Sequence, residues 1–235
     1  MSNLDERIST NATDLENAWN APALNGALGM LRLVDTPNYP LTVERENRLL
    51  LDLGFGEFDI ENAFVENLPK AYGQNFTAAI KKYIESLDAN LTKNVCVSFS
   101  GANGSGKTNA MATIAREVIR KKYEPELGRV RFYIHFTTAY DMIEDIVRNE
   151  LTGDNIYQVS RFLLIDDLDR DHTPHRRAAF SHIISERVKQ AGKPFVLTTA
   201  MNDQELASLY PHVFSRLKTG ITLRTNGVDL RCLRK

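Results

Sequence analysis

The chain has 235 residues, 43% of them apolar and 25% charged, with a net charge of −1. That length allows one large domain or a domain with an appendage, and the even charge balance excludes a global basic field. Any nucleic-acid binding must then come from a local patch or from several copies together. Two cysteines, Cys96 and Cys232, exclude a disulfide framework, and no Cys/His cluster has zinc spacing. The apolar runs are too short to span a bilayer, and no charged-then-apolar leader opens the chain. A cytoplasmic protein with no membrane partner is therefore expected.

Residues 1 to about 40 are uneven. Leu15 and Trp19 fit a short helix, Ala21-Pro22-Ala23 breaks it, and Thr36-Pro37-Asn38-Tyr39-Pro40 is a loop. A tail packed on the main domain and a partner-binding arm that orders on contact fit this stretch equally well. Thr42 to Leu53 reads as a helix with Thr42 as N-cap, an apolar edge at Leu49, Leu50 and Leu53, and a stop at Gly54-Phe55-Gly56. We place the boundary between a 1–50 arm and a 51–235 domain inside this region. Phe58, Ile60, Phe64 and Val65 form an apolar linker. Lys70 to Leu87 is a strongly amphipathic helix, with Tyr72, Phe76, Ala79, Ile80, Tyr83, Ile84 and Leu87 at helical spacing. Core packing accounts for that stripe.

Val95 to Ser100 is a short apolar run that predicts a buried strand, and Cys96 within it is a small apolar filler. Gly101-Ala102-Asn103-Gly104-Ser105-Gly106-Lys107-Thr108 follows and fits G-x-x-x-x-G-K-[ST], the P-loop pattern. Asn109 to about Lys121 then carries Met111, Ile114, Ala115, Val118 and Ile119 on one helical face. Strand, glycine loop and helix arrive in the order that phosphate binding requires. Glycines let the backbone approach phosphate closely, and successive N–H groups at a helix N-terminus face the anion. Lys107 supplies a cation to the β- and γ-phosphates, and the Thr108 hydroxyl is a Mg²⁺ ligand. Residues 101–109 are thus the expected site for ATP or ADP.

Val130 to Phe136 predicts a second strand, and Thr138 with Asp141 a capping box opening a helix to about Glu150. Arg161 to Asp167 predicts a third strand ending in two carboxylates. Neighbouring strand residues point opposite ways, so the pair divides its labour. Asp166 fits the Mg²⁺ side, and Asp167 is placed to orient and deprotonate an attacking water. His172, His175, Arg176 and Arg177 read as a solvated loop in preference to a DNA or metal site. Thr173-Pro174 starts a helix. Phe195 to Thr199 predicts a fourth strand whose end, Thr198-Thr199-Ala200, offers a polar side chain to sense the γ-phosphate. Arg216, taken by itself, reads as a surface arginine. Runs around Ile221 and Leu230 flank an Asn226-Gly227 turn. Strands alternating with helices predict an α/β fold, a parallel sheet covered on both faces with ligand at the strands' carboxyl ends.

Several of these stretches carry a resemblance. Phe162 to Leu168, Tyr133 to Ile143, Gly192 to Thr199, Glu205-Leu206, Ser215-Arg216-Leu217 and Gly227-Val228-Asp229-Leu230-Arg231 resemble the DnaC/DnaI-type helicase loaders and their IstB relatives among the AAA+ ATPases. The resemblance covers roughly 55–235. It implies a three-layer P-loop NTPase of AAA+ type with a central, mostly parallel sheet and no C-terminal helical lid. It also implies that Arg216 reaches the nucleotide of a neighbouring subunit in an ATP-state ring or spiral. Two departures stand out. Ala200 occupies the position where the family usually has Asn, which leaves Thr199 as the sensor, since Asn202 with Glu205 reads better as a helix N-cap. Asp167 stands where many AAA+ proteins have Glu.

The function so implied is that of an ATP-dependent loader that binds a replicative DNA helicase and places it on single-stranded DNA, with slow hydrolysis as the switch. Lys107, Asp167, Arg216 and Thr199 are its expected catalytic residues. Alternatives with the same engine are a transposition helper that assembles on duplex DNA and a nucleotide-binding adaptor without significant turnover.

Overall fold

The computed structural model describes residues 40–68, 72–149, 155–190 and 192–225. In chain order, α1 (Val43–Leu53), α2 (Glu57–Asn62), α3 (Gln74–Glu85) and α4 (Leu87–Thr92) precede β1 (Val97–Ser100). Next come α5 (Lys107–Lys122), β2 (Tyr123–Glu124), β3 (Arg129–Val130), β4 (Ile134–Thr138), α6 (Ala139–Asn149) and α7 (Ile156–Val159). Then follow β5 (Phe162–Leu168), α8 (Pro174–Lys189), β6 (Phe195–Thr199), α9 (Asp203–Leu209), α10 (Pro211–Leu217) and β7 (Ile221–Arg224). Five strands form one parallel sheet in the order β4-β5-β6-β1-β7.

Period-two alternation in those strands builds the layers. Val97, Phe99, Phe162, Leu164 and Val196 face a core shared with α1 to α5. Leu163, Ile165, Phe195 and Leu197 face the opposite core, shared with α6, α8, α9 and α10. Helices on both faces explain why Phe162 to Ile165 of β5 and Phe195 to Leu197 of β6 are continuously apolar. The three-layer α/β architecture agrees with the sequence reading.

The first layer is anchored by ions. Thr42 caps α1 by accepting from the Arg45 N–H at 3.3 Å, and Gly54 closes it at φ +107°. Glu46, on the inner face of α1, is buried and accepts from Arg116 at 2.8 Å and from Arg120 at 2.6 Å. Arg116 is wholly buried; it also donates to Asn47 Oδ1 at 2.7 Å and Ile60 O at 2.8 Å, and lies 4.1 Å from the Phe64 ring centre. One guanidinium thus joins α1, α2 and α5. The boundary expected after residue 50 therefore falls inside α1, whose Leu49, Leu50 and Leu53 are core residues, and the folded domain includes Thr42 onward.

Other expectations shift by a few residues. The amphipathic stripe from Tyr72 to Leu87 is buried at Tyr72, Phe76, Ile80, Tyr83, Ile84 and Leu87, but Gly73 and Ser86 delimit α3, and a separate α4 follows. The run 130–136 does not form one strand. Arg129 and Val130 pair antiparallel with Tyr123 and Glu124, the Arg131 N–H donates to Lys122 O at 2.7 Å, and β4 begins only at Ile134. Cys96 is buried as expected, and burial pushes its thiol up to about 11. Leu15, Trp19, Asn226-Gly227 and Leu230, expected in a helix, a turn and a strand, lie outside the described residues. No helix among the described residues is long and apolar enough to cross a membrane.

Removing one partner of a buried ion pair costs about 3–5 kcal/mol, because the survivor stays buried and uncompensated. Glu46→Ala is expected to lose that much in denaturant unfolding, and Glu46→Gln, which keeps an acceptor, distinctly less. A loss under about 1 kcal/mol for Glu46→Ala would mean that α1 is not held through this pair.

Candidate nucleotide-binding site

The glycine loop leaves the carboxyl end of β1 and enters α5. Gly101 has φ +149°, and a Cβ on it would lie 1.9 Å from Thr225 Oγ1, so only glycine fits. Gly104 and Gly106 adopt φ +78° and +81°. Ser105 Oγ and Thr225 Oγ1 are hydrogen-bonded at 2.6 Å, and the Thr225 N–H donates to Ser100 O at 2.9 Å. The residue after β7 therefore braces the loop from beneath. Lys107 is mostly buried, and its ammonium donates to Gly101 O at 2.9 Å and Ala102 O at 3.0 Å, across the loop's own turn. Ala102 and Asn103 are exposed at its tip. Tyr72 donates to Gly106 O at 2.5 Å. Asn109 is buried and donates its side-chain amide to Asp59 O at 3.0 Å, tying α5 to α2.

The two carboxylates arrive from β5. The Thr108 hydroxyl donates to Asp166 Oδ2 at 2.9 Å, and the Thr198 hydroxyl, from β6, donates to Asp166 Oδ1. Burial holds the Asp166 carboxyl above the usual carboxylate range; the nearby Asp167 charge pushes the same way, while the Thr198 and Thr108 hydrogen bonds and Lys107 pull it down. Asp167 is exposed. Strand alternation is not what separates the pair. Between Ile165 and Leu168 the β5–β6 register slips, and Asp167 sits in the left-handed region at φ +58° with its N–H donating to Thr198 Oγ1 at 2.8 Å. This bulge turns one carboxylate toward Thr108 and the other to solvent. Aspartate tolerates that conformation better than most residues.

The Thr198-Thr199 pair divides differently from the expectation. Thr199 is buried; its hydroxyl donates to Leu168 O at 2.6 Å and accepts from the Met201 N–H at 3.0 Å. Both sides of that hydroxyl serve the backbone, so Thr198 and not Thr199 faces the carboxylates. Asn202 is a capping residue as read: it accepts from the Gln204 and Glu205 N–H groups at 2.9 and 3.0 Å, and Glu205 accepts from its N–H at 2.9 Å.

Arg216 is not brought to this loop. It is exposed in the last turn of α10, just before the Ile221 N–H donates to Cys96 O at 2.8 Å at the amino end of β1. The glycine loop lies at the carboxyl end of the same strand. The basic cluster after β5 disperses: His172 is buried near Asp169, Arg176 pairs with Glu144, and Arg177 lines a groove on the outer side of α8. Among the described residues no three His, Cys, Asp or Glu side chains converge as a metal cage.

Tyr72 and Thr225 were not legible as site residues. Tyr72 is one member of an apolar stripe, and Thr225 follows a short edge strand; both contacts depend on tertiary placement.

Residues 61–224, which hold the loop, both carboxylates and Arg216, match the family model of the bacterial DnaA ATPase domain. The chain belongs to that family. Its fold is the AAA+ fold of the DnaC/DnaI type. AMPPCP-bound DnaA from Aquifex aeolicus is similar over 70% of this chain and 50% of its own, with 19% identity and TM-score 0.52. The DnaC helicase loader is similar over 65% of this chain and 89% of its own, with 20% identity and TM-score 0.55. DnaI is similar over 74% and 94%, with 16% identity and TM-score 0.56. The chain thus spans about half the length of the DnaA structure. A search of curated proteins gave no match.

The two threonines make a paired prediction. Groups that orient a metal-ligating carboxylate typically matter about 10–100-fold. Thr198→Val is expected to lower ATP turnover by about that factor while ATP still binds. Thr199→Val is expected to cost about 1–3 kcal/mol of stability, by orphaning Leu168 O and the Met201 N–H, and to leave turnover per folded molecule within a few-fold. Steady-state hydrolysis beside thermal unfolding checks both; the reverse pattern would return the sensor role to Thr199.

Proposed function

We propose that the chain is an ATP-dependent helicase loader, an ATPase switch that engages a replicative DNA helicase and helps place it on single-stranded DNA. The observation that carries this reading is the extent of the fold match. The likeness to DnaC and DnaI runs through 89% and 94% of those chains, against 50% for DnaA. An initiator-type role, assembling on DNA without a helicase, is the second reading, and the DnaA family model favours it.

The site suits MgATP. Its cradle is closed to a Cβ at Gly101, and Thr108 and Asp166 present adjacent hard oxygen donors of the kind Mg²⁺ takes. In this reading Gly101, Gly104, Ser105 and Gly106 wrap the phosphates with backbone N–H groups, Lys107 neutralises the β- and γ-phosphates, and Thr108 and Asp166 hold the metal. Mg²⁺ supplies charge neutralisation at those phosphates when bound. Asp167, exposed and one residue beyond, orients the attacking water and accepts its proton. Arg216 faces away from its own loop, so the site of one chain is completed by the arginine of the next. A guanidinium suits that task through its permanent charge and planar fork of donors. Hydrolysis is slow and depends on assembly.

Pull-down with the host's replicative helicase tests the loader claim, using the full chain and a variant lacking residues 1–39, which spares α1. The full chain is expected to retain helicase and the shortened one to lose it while still binding ATP. Strong duplex-DNA binding without helicase capture would support a transposition helper or an initiator instead. The finger is tested by mixing. Arg216→Ala is expected to bind ATP normally yet hydrolyse it ~10²–10³-fold more slowly, below the ~10³–10⁵ typical of such fingers. Lys107→Ala is expected not to bind ATP. Because a mixed interface pairs an intact loop with an intact arginine, combining the two dead variants should restore part of the turnover. Co-assembly without recovery would make Arg216 a plain surface residue.

A further inference from the structure

Five parallel strands put all their amino ends at one end of the sheet, away from the glycine loop and the two carboxylates. Four adjacent strands are entered there past a cation. Arg161 precedes β5, Lys193 leads into β6, Lys93 closes α4 before β1, and Lys218 follows α10 before β7. The strand order β5-β6-β1-β7 makes them neighbours, and direct contacts join their loops. The Arg161 guanidinium covers Gly192, where a Cβ would meet it at 3.4 Å. The Lys193 N–H donates to Asn94 Oδ1 at 2.8 Å, one residue past Lys93. The Ile221 N–H, just after Lys218, donates to Cys96 O at 2.8 Å. Arg161, Lys93 and Lys218 are exposed and form no ion pair with another described residue. Lys193 is half-buried, and its ammonium donates to the uncharged Gln190 side chain at 2.5 Å. Toward the same end, Glu186, Asp88 and Glu124 are each matched by another cation: Lys189, Lys122 and Arg131.

The loops under this row are pinned. Arg187 is wholly buried and donates to Ser160 O at 2.7 Å and Pro194 O at 2.9 Å, the carbonyls beside Arg161 and Lys193. It adds its own charge beneath theirs. Asn94 takes left-handed backbone at φ +54° and gives its amide to Val188 O and Gln190 O at 3.0 and 2.8 Å, at the end of α8. Among the described residues other than glycine, only Asn94 and Asp167 have positive φ. Such backbone persists where its surroundings hold it, and it gathers at functional sites. Cations near helix C-termini are often spent on the last carbonyls. Arg161, Lys93 and Lys218 donate to no described residue, so their charge is left for a ligand.

We propose that this row is a binding site for the phosphodiester backbone of duplex DNA. Neighbouring strands lie ~4.8 Å apart, so four strand entries span about 14 Å. That matches about four phosphates along one strand of a duplex, at ~3.4 Å each. Sites for single strands combine cations with aromatic faces on which bases stack. The large apolar side chains exposed among the described residues are Val43, Leu51, Leu127 and Tyr140, and none stands on this row. The row therefore engages backbone charge and not sequence. With a net charge of −1 the chain has no general positive field, and this is the local patch that DNA binding requires. The site stands on its own geometry, at the far end of the sheet from the nucleotide, and does not depend on the loader reading.

Fluorescence anisotropy of a short labelled duplex, titrated with the full chain between about 50 and 200 mM salt, tests this. The slope of log affinity against log salt is expected to be about −3.6, at ~0.9 for each of four phosphates. Arg161→Gln with Lys93→Gln is expected to bring it to about −1.8 and to weaken binding about tenfold or more at the lower salt, with ATP affinity and basal turnover unchanged. Arg48→Gln, which removes an exposed cation of α1 that pairs with Asp52, is expected to leave the slope as it is. An unchanged slope in the double variant, or a wild-type slope near zero, would overturn the inference. Loss of affinity confined to a single-stranded oligonucleotide would do the same, by making the row a single-strand track. So would loss of self-association in sedimentation velocity with duplex binding intact, by making it a contact between copies. Helicase capture can fail while this slope pattern holds, and the reverse, so the two readings are refuted separately.

Discussion

The hydrogen bonds that converge on Asp166 set the geometry of the whole site. Thr108 donates from α5 and Thr198 from β6, so one carboxylate holds three elements in register. The arrangement has a cost. Asp166 is withdrawn from water and its carboxyl is pushed up, so both hydroxyls offset desolvation as well as aim it. Asp167 depends on the same group: its N–H is satisfied by the Thr198 hydroxyl, which keeps the bulge in its left-handed conformation. One hydroxyl from β6 thus holds the Asp166 carboxylate and the Asp167 backbone together.

Each helical layer has its own buried cation, and the two solve the same problem differently. Arg116 pairs with Glu46 and lies over the Phe64 ring. Arg187, equally buried, pairs with no carboxylate among the described residues; it donates to Tyr157 O at 2.8 Å, Ser160 O at 2.7 Å and Pro194 O at 2.9 Å. Burial draws its guanidinium down to about 9. Those carbonyls belong to α7, the loop entering β5 and the loop entering β6, so Arg187 sets the amino ends of the two strands whose carboxyl ends carry the site. Its carbonyl partners leave no anion for a competing contact, whereas Arg116 gives α1 a specific acid to recognise.

What the sequence revealed and what it hid follow from the range of the interactions. The glycine loop was legible because its strand, turn and helix are contiguous, and each residue's task depends on its neighbours. Thr42, Thr138, Thr173 and Asn202 were legible as caps for the same reason. The split between Asp166 and Asp167 was expected from strand alternation, yet a register slip against β6 produces it, and pairing register is not written in either strand alone. That slip also decides which threonine meets the carboxylates. That α1 packs into the first core layer was not legible, because Glu46 and Arg116 lie far apart in sequence and only their contact shows it. Likewise Val130 joins a local ribbon with Tyr123, a choice that apolar composition cannot make between two available partners.

The topology gives β7 an unusual position in the proposed assembly. At its amino end the chain has just left α10 and Arg216; at its carboxyl end Thr225 grips Ser105 and fills the space beside Gly101. Every residue between pairs with β1, Ile221 with Val97 through Arg224 with Ser100. The arginine that would serve a neighbour's nucleotide and the brace beneath a chain's own glycine loop therefore lie just beyond the two ends of one four-residue strand. A strand hydrogen-bonded along its length to a buried neighbour transmits position better than a free loop, because slipping it by one residue would invert every side chain. In an assembly of the proposed kind, each copy would read its neighbour's site and hold its own through the same short element. Coupling between successive sites would then require no element beyond the edge of the sheet.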